Sequence, residues 1–230
     1  MTMTSKLAAI ALATTALASA PAFAVVDDYS FAFTSTLNKG VLVINGTTTL
    51  NATSQGRYDS TGGNNAGDYI VGTQGSSSFN DYFVFNLSSV SGTINSAVLE
   101  LVQPPLGVNH NNGFSGANAT YTNYDVSTTI ANLISATPTG GAGIYTDLGT
   151  GTSYASTDLS TSSNGTTVNI TLDAAARSAI HSAEGSSFAI GGTLTTDVAT
   201  VPLPAALPMF LTALLGMFGI HTFRKQRQTA

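Results

Sequence analysis

Apolar residues between positions 25 and 200 come in short runs, and Gly, Asn, Ser or Pro interrupts the chain after nearly every run. In the run at 93–103, every second residue from Ala97 to Leu101 is apolar, and two prolines end the run. Such runs predict antiparallel strands, because successive side chains of a strand point to opposite faces. The region is therefore expected to be all-β, an antiparallel β-sandwich or jelly roll.

The individual strands follow from the same pattern. Asn45-Gly46 is a hairpin turn signal directly after the apolar run at 41–44. Strands are predicted at 29–33, 41–44, 68–73, 79–87, 93–103, 119–126, 143–149, 153–160, 166–172 and 187–192. The Asn- and Gly-rich stretch at 104–118 is expected to be a long loop.

One or two short helices are predicted among the strands. Asp125 is expected to cap the first, because apolar residues recur at helical spacing at Val126, Ile130, Leu133 and Ile134. Asp173 is expected to cap the second, which covers 174–184 and ends before Gly185. The buried stripe of this second helix is predicted at Ala176, Ile180 and Ala183.

The distribution of charge argues against several classes of partner. Charged residues make up 8% of the chain, and all twelve acidic residues lie between Asp27 and Asp197. The cations that oppose them in this region are Lys39, Arg57 and Arg177. An acidic region argues against nucleic acid, which attracts basic surfaces, and against peripheral binding to anionic lipid.

Because the chain has no Cys, it has neither a disulfide framework nor a Cys-based zinc site.

The first 24 residues have the features of a secretory signal peptide. Lys6 precedes an apolar run that extends to about Ala20, and the small residues Ala22 and Ala24 flank Phe23. This small-x-small pattern predicts cleavage after Ala24. An uncleaved amphipathic helix is the alternative interpretation.

The other end of the chain predicts a transmembrane helix. Residues 205–223 carry no formal charge when His is neutral, and this length is about that needed to cross a hydrocarbon core. A basic tail follows at 224–230, with Arg224, Lys225 and Arg227. Cations stay on the cytoplasmic side, so residues 25–200 are expected to lie outside the inner membrane. A buried core helix is the alternative.

The stretch that precedes this helix resembles a known sorting signal. Val201, Pro202, Leu203, Pro204, Ala205 and Ala206 read VPLPAA, and an apolar segment and a basic terminus follow. The order and spacing resemble the VPLPA variant of the PEP-CTERM sorting signal, here at 201–230. This resemblance implies recognition and cleavage by an exosortase-type membrane enzyme, then transfer to the surface or exopolysaccharide matrix of a Gram-negative bacterium. A plain membrane anchor with a Pro-rich stalk is the alternative.

The region before the signal carries a second resemblance. The sequence GGNNAGDYIVGTQGSSSFNDYFVFNLSSVSGTINSAVLELV resembles the core of DNRLRE-type modules, which implies a carbohydrate-binding-module-like β-sandwich. The basic residue that such modules often place before the Phe strand is absent, and Asn80-Asp81 stands there. The segments YDVSTTIANL, YTDLGTGTSYAS, NGTTVNITLDAAARSAI and FAIGGTLTT are similar to ectodomains of PEP-CTERM proteins.

Residues that could perform catalysis are sparse. The histidines of the 25–200 region are His110 and His181, and no G-x-S-x-G motif accompanies them. Glu100 and Glu184 are the only glutamates of the chain, so a pair of carboxylates for glycoside hydrolysis has little sequence support. The chain is therefore expected not to be an enzyme and to need no cofactor.

One loop has residues that suit a calcium ion. Asp59, Asn64, Asn65 and Asp68 supply oxygen ligands within a Gly-rich stretch. The alternative is a solvated turn in which these side chains cap their own backbone.

The tyrosines of the 25–200 region could stack on sugars, or they could pack the sandwich. The sequence thus predicts a non-enzymatic surface or matrix protein with exosortase and exopolysaccharide as partners; the alternative is a carbohydrate-binding domain.

Overall fold

The computed structural model of the chain describes residues 39–74, 76–105 and 118–196, all within one unit that spans Val26–Val198. These residues form an all-β domain with short helices, as predicted. The strands are β1 Val41–Ile44, β2 Thr48–Asn51, β3 Ser54–Asp59, β4 Asn64–Ala66, β5 Gly72–Gln74, β6 Ser77–Asn86, β7 Ala97–Val102, β8 Ala119–Asp125, β9 Ser153–Leu159, β10 Thr167–Thr171 and β11 Ser187–Thr196. The helices are α1 Ile130–Leu133, α2 Gly141–Leu148 and α3 Ala174–Ser182, with a 3-10 turn at Thr161–Ser163.

The smaller sheet has four antiparallel strands in the order β10-β7-β1-β2. The predicted Asn45-Gly46 turn joins β1 to β2, and both residues adopt the positive φ angles (54° and 68°) that a tight hairpin requires. The register pairs Leu42 with Leu99, which places both side chains on the buried face. Strand β7 buries Ala97, Leu99 and Leu101 as the alternation predicted.

The larger sheet is built around β6, the long strand that pairs with β3 on one edge and with β11 on the other. Its order is β4-β3-β6-β11-β8-β9, and β5 also pairs with β6. All of these pairs are antiparallel. Because β6 is buried on both faces from Asn80 to Phe85, it carries the side chains that face each layer of the domain.

The two sheets face each other across one hydrophobic core, so the domain is sandwich-like. Leu42, Leu99 and Ile170 from the smaller sheet pack with side chains of the larger sheet that include Phe83 and Phe85. Tyr69 closes one side of this core with its ring edge-on to Phe83, 4.7 Å between centroids. Burial of each large apolar side chain stabilises the fold by roughly 1.5–3 kcal/mol.

A second, smaller apolar cluster lies on the opposite face of the larger sheet. Tyr58 and Tyr82 from the sheet pack there with Leu133 of α1 and with Ile144 and Leu148 of α2. Polar anchors hold both helices in place. The Tyr58 hydroxyl donates to the carbonyl oxygen of Leu133 (2.8 Å), and the Asn80 amide donates to that of Tyr145 (2.8 Å).

Two predictions about the helical layer, which consists of α1 and α2, are wrong. Residues 143–149 were expected to form a strand, but residues 143–148 belong to α2 and Gly149 is its C-cap. The helix forms because Ile144 and Leu148 are spaced to reach the same apolar cluster from one helical face. Asp125 does not cap α1, which begins after Thr129. The Asp125 carboxylate instead accepts a hydrogen bond from the N–H of Thr152 (2.6 Å). Ile134, one of the apolar positions that predicted this helix, is 43% exposed.

The helix predicted after Asp173 is confirmed. The Asp173 carboxylate accepts a hydrogen bond from the N–H of Ala176 (2.9 Å), and Gly185 follows the helix with φ 75°. Ala176 and Ile180 are buried, and Ala183 packs against the same core. The predicted strand at 29–33 and most of the predicted loop at 104–118 lie outside the described residues.

Candidate functional site

The residues of the predicted sorting and cleavage signals lie outside the part of the chain that the structure describes: Ala22, Ala24, Val201, Pro202, Leu203, Pro204, Ala205, Ala206, Arg224, Lys225 and Arg227. The helix predicted at 205–223 and His110 lie outside it as well. Within residues 39–74, 76–105 and 118–196, no helix has the length and apolar character needed to cross a bilayer.

The predicted calcium ligand Asp59 closes the turn that follows β3. Its Oδ1 accepts hydrogen bonds from the hydroxyl of Thr61 (2.6 Å), the N–H of Thr61 (2.9 Å) and the N–H of Gly63 (2.8 Å). The Thr61 hydroxyl is the main reason that the pKa of Asp59 is lowered, and the backbone N–H groups lower it further. Asp59 therefore caps its own backbone, as the alternative interpretation proposed.

The other predicted calcium ligands have separate surroundings. The Asn64 amide donates to the carbonyl oxygen of Ser135 (3.0 Å), which joins the β4 edge to the chain after α1. Asn65 is exposed, and Asp68 lies close enough to Arg57 to interact with its charge. Among the described residues, no group of three or more His, Asp or Glu side chains could hold a metal ion.

A cleft with an ionisable lining lies beside α3. It has a volume of about 260 Å³ and is lined by Thr93, Ile94, Ala174, Arg177, Ser178 and His181. Arg177 and His181 are four residues apart, so the helix presents both on one side. The Arg177 guanidinium donates through Nη1 to the carbonyl oxygen of Leu172 (3.2 Å), which fixes its position at the start of the helix.

The Asn45 side chain holds the segment that forms the opposite wall of this cleft. Its Nδ2 donates to the carbonyl oxygen of Thr93 (2.9 Å), and its Oδ1 accepts from the N–H groups of Asn95 (2.8 Å) and Ser96 (3.1 Å). The turn residue of the β1–β2 hairpin therefore holds the segment before β7 in place. The cleft thus has two fixed walls, one helical and one clamped by a side chain.

His181 is the histidine that the structure describes, and it is exposed. Its Nδ1 lies 2.9 Å from Oε1 of Glu184, which orients the ring. Ser178 lines the same cleft, but no hydrogen bond joins the Ser178 hydroxyl to the His181 ring. A nucleophilic serine needs such a bond to its base, so the described pair lacks that contact.

A larger cleft of about 390 Å³ lies where β1 begins. Lys39, Ala52, Thr53, Ser54, Gln55 and Gly67 line it. The Gln55 side chain crosses its base, because Oε1 accepts from the N–H of Gly40 (3.0 Å) and Nε2 donates to the carbonyl oxygen of Gly67 (3.1 Å). Lys39 is the charged group at this cleft.

A buried acid was not predicted from the sequence. Asp81 is fully buried on the face of β6 that points between the sheets. The Tyr121 hydroxyl donates to its Oδ1 (2.8 Å), and the Asn123 amide donates to the Tyr121 oxygen (3.1 Å) and to the carbonyl oxygen of Gly191 (3.1 Å). The signal was present, because period-two alternation places Asp81 on the same face as Phe83 and Phe85.

Burial dominates the electrostatics of this network. Loss of hydration raises the pKa of Asp81 well above its ordinary value, and the hydrogen bond from Tyr121 opposes this only in part. Burial also raises the pKa values of Tyr121 and Tyr69, and the nearby Asp81 charge adds to the effect.

The tyrosines mostly pack the sandwich, as one of the two interpretations predicted. Tyr58, Tyr69, Tyr82, Tyr121 and Tyr154 are buried, whereas Tyr124 and Tyr145 are partly exposed. The described tyrosines therefore do not form an exposed row on which sugar rings could stack.

Comparison of the chain with protein-family models, with curated proteins and with solved structures finds no match in any of the three.

Proposed function

We propose that this chain is an exported, non-enzymatic protein of the cell surface or extracellular matrix of a Gram-negative bacterium. In this proposal residues 1–24 are a cleaved signal peptide, 25–200 form the displayed domain and 201–230 form a PEP-CTERM-type sorting signal that an exosortase-type enzyme cleaves. The observation that carries the proposal is the order VPLPAA, 19 residues without formal charge, and a basic terminus.

A physical argument supports this order of segments. Pro202 and Pro204 lack the N–H groups that helices and sheet ladders require, so the motif stays extended and accessible to a processing enzyme. The apolar segment at 205–223 partitions into the bilayer, and Arg224 and Lys225 stay on the cytoplasmic side because cations resist transfer. Export would therefore halt with the motif at the outer surface of the inner membrane.

The displayed domain suits an extracellular scaffold in this proposal. It has two packed sheets without any Cys, so its folding does not depend on oxidation. We assign it the finer architecture of a jelly roll, in line with the resemblance to DNRLRE-type modules.

Mass spectrometry of both ends of the mature protein tests the proposal. We expect Val25 at the N-terminus and loss of the tail at 224–230 in a strain with the sorting enzyme, and retention of the tail without it. The Pro202→Ala, Pro204→Ala double variant should retain the tail in both strains, whereas Thr229→Ser, a matched change in the tail, should be processed normally. An intact tail on surface material from the wild-type strain would reject the sorting proposal in favour of a permanent anchor.

The cleft beside α3 favours a second candidate function, the recognition of a surface polysaccharide. Arg177, Ser178 and Thr93 offer hydrogen-bond donors around this cleft, and Ile94 adds an apolar side chain to its lining. Pull-down with the producer's own polysaccharide tests this candidate. Binding should fall in Arg177→Gln and persist in Lys39→Gln, which changes the other cleft. No binding of the wild-type chain to any polysaccharide would eliminate this candidate.

A further inference from the structure

Asp81 and Arg57 face each other across the β3–β6 pair, yet they are not joined. The register places Arg57 opposite Asp81, on the same side of the sheet. The Arg57 guanidinium instead lies over the ring of Phe79, 4.6 Å from its centroid. Phe79 is two residues before Asp81 on β6, so the cation stands about 7 Å along the strand from its cross-strand partner.

The remaining surroundings of Asp81 are neutral or titrate only in alkali. Tyr121 on β8 bonds to Oδ1, Tyr69 in the segment before β5 lies within electrostatic range, and β11 places Gly192 directly opposite. Among the described residues, Arg57 is therefore the one cation positioned to neutralise an ionised Asp81. Asp59 and Asp68 also attract it.

Buried polar atoms without hydrogen-bond partners also favour a protonated Asp81. Oδ2 of Asp81 is buried without a hydrogen-bond partner, and so are two buried acceptor oxygens, Oδ1 of Asn123 and Oε1 of Gln103. A buried carboxylate oxygen without a donor is costly, whereas a carboxylic acid carries its own donor. A proton on Asp81 removes the buried charge and makes the buried carboxyl a hydrogen-bond donor.

We propose that Asp81 is an uncharged carboxylic acid in the folded domain, and that its ionisation draws the Arg57 guanidinium from the Phe79 ring onto the carboxylate. The transfer is a conformational switch between a cation–ring contact and an ion pair in the same sandwich. The chemical change is the loss of one proton from Asp81 to solvent.

The direction of the pH effect follows from proton binding. In the unfolded chain the Asp81 carboxyl has an ordinary pKa of about 3.9 and is ionised above that pH. In the folded domain it keeps its proton to a higher pH. The folding equilibrium constant therefore falls, by up to about tenfold per pH unit, as the pH rises from that value towards the folded pKa. Above the folded pKa this dependence ends, because both states are then ionised.

The test is a titration of the full chain with ¹³C-labelled Asp carboxyls, followed by NMR from about pH 4 to about pH 10. The Asp81 signal, assigned by its loss in Asp81→Asn, should keep its protonated shift after the surface carboxylates have ionised, and should then change together with the ring signals of Phe79. In Arg57→Gln, the Asp81 carboxyl should stay protonated to higher pH. In Asp81→Asn, the Phe79 ring signals should not change over the same titration.

Two results would overturn the proposal. One is an Asp81 carboxyl that ionises in the same mildly acidic range as surface carboxylates. The other is an Asp81 carboxyl that ionises above that range while the Phe79 ring signals stay constant. If Asp81→Asn does not fold, sequential NMR assignment of the wild-type chain identifies the Asp81 carboxyl, so the wild-type chain and Arg57→Gln still report both results.

Discussion

The hydroxyl of Tyr121 occupies the space in which a side chain on Gly192 would lie. An ideal Cβ on Gly192 would overlap the Tyr121 hydroxyl and Oδ1 of Asp81. Gly192 stands between Asp81 and Asn123 in register, so the absent side chain opens the gap that the buried network fills. Its neighbour Gly191 has the corresponding role on the other face, where an ideal Cβ would lie 2.7 Å from the carbonyl oxygen of Leu148.

We predict that Gly192→Ala destabilises the domain strongly. The methyl group would displace Tyr121 from Asp81, and overpacking in a filled core costs about 1–3 kcal/mol before the lost hydrogen bond is counted. Gly143→Ala is the matched control, because a Cβ at Gly143 of α2 meets no atom within 4 Å. That variant should be stabilised by roughly 0.5–1 kcal/mol, since Ala is a better helix former. Urea unfolding measures both changes, and equal stability of the two variants would contradict the overlap.

The pH dependence of Asp59 should have the opposite sign to that of Asp81. Its hydrogen bonds, first among them that from the Thr61 hydroxyl, lower the pKa of Asp59, so they stabilise the fold above the unfolded value of about 3.9. This stabilisation is lost as the pH falls through the folded pKa. Because Asp59 is near the surface, Asp59→Asn should cost less than about 1 kcal/mol at neutral pH and nothing at low pH. Thr61→Val should show the same trend with a smaller amplitude.

The same variants test the calcium alternative. With Oδ1 occupied by its own turn, calcium or a chelator should leave the melting temperature of the wild-type chain unchanged. A calcium-dependent rise that Asp59→Asn abolishes would show instead that this loop binds the ion. Thermal unfolding followed by circular dichroism distinguishes the two outcomes.

The strands could be predicted where a single face alternates. In the helical layer, the helix that contains Ile130 and Leu133 was predicted, but α2 was not. In β7 every second side chain enters the core, so the pattern alone identified both the strand and its buried face. In α2 the informative pair is Ile144 and Leu148, whose helical spacing is obscured by Gly141 and Gly143 and by the β-favouring Tyr145. The contact with Tyr58 and Tyr82 decides the conformation, and that contact joins residues far apart in the chain.

Among the polar residues, too, those marked by local sequence signals were predicted, and those that depend on distant contacts were not. The Asp173 cap and Gly185 are local signals, and both were predicted. Asp81 was not, because its burial depends on Tyr121, 40 residues away, and on the missing side chain of Gly192. The cleft beside α3 likewise requires Asn45 and Thr93 to meet across 48 residues.

Removal of the Tyr58 hydroxyl should weaken the helical layer. That hydroxyl makes a buried bond to the carbonyl oxygen of Leu133, and burial raises the pKa of Tyr58 to about 12. We expect Tyr58→Phe to lose about 1–2 kcal/mol, because the carbonyl stays buried without its donor. Tyr124→Phe, on the partly exposed face of β8, should change stability by less than about 0.5 kcal/mol. Hydrogen exchange at the α1 amides should accelerate in the first variant and not in the second.

Two variants of Asn45 separate the effect of its side-chain hydrogen bonds on stability from that of backbone strain. We call these bonds, to Thr93, Asn95 and Ser96, the Asn45 clamp. Asn45→Ala loses three hydrogen bonds to the segment before β7 and keeps a φ of 54°, which costs Ala about 1–2 kcal/mol. Asn45→Gly loses the same bonds without that strain, so it should be more stable than Asn45→Ala by about 1 kcal/mol. Both variants should show faster hydrogen exchange at the amides of Asn95 and Ser96.

The same pair tests whether the clamp shapes the cleft. If polysaccharide binds beside α3, both variants should bind it more weakly, although Asn45 does not line the cleft. Asn51→Ala, at an exposed position at the end of β2 in the same hairpin, is the control that should leave exchange and binding unchanged. Unchanged exchange at Asn95 in Asn45→Gly would show that backbone pairing alone holds this wall.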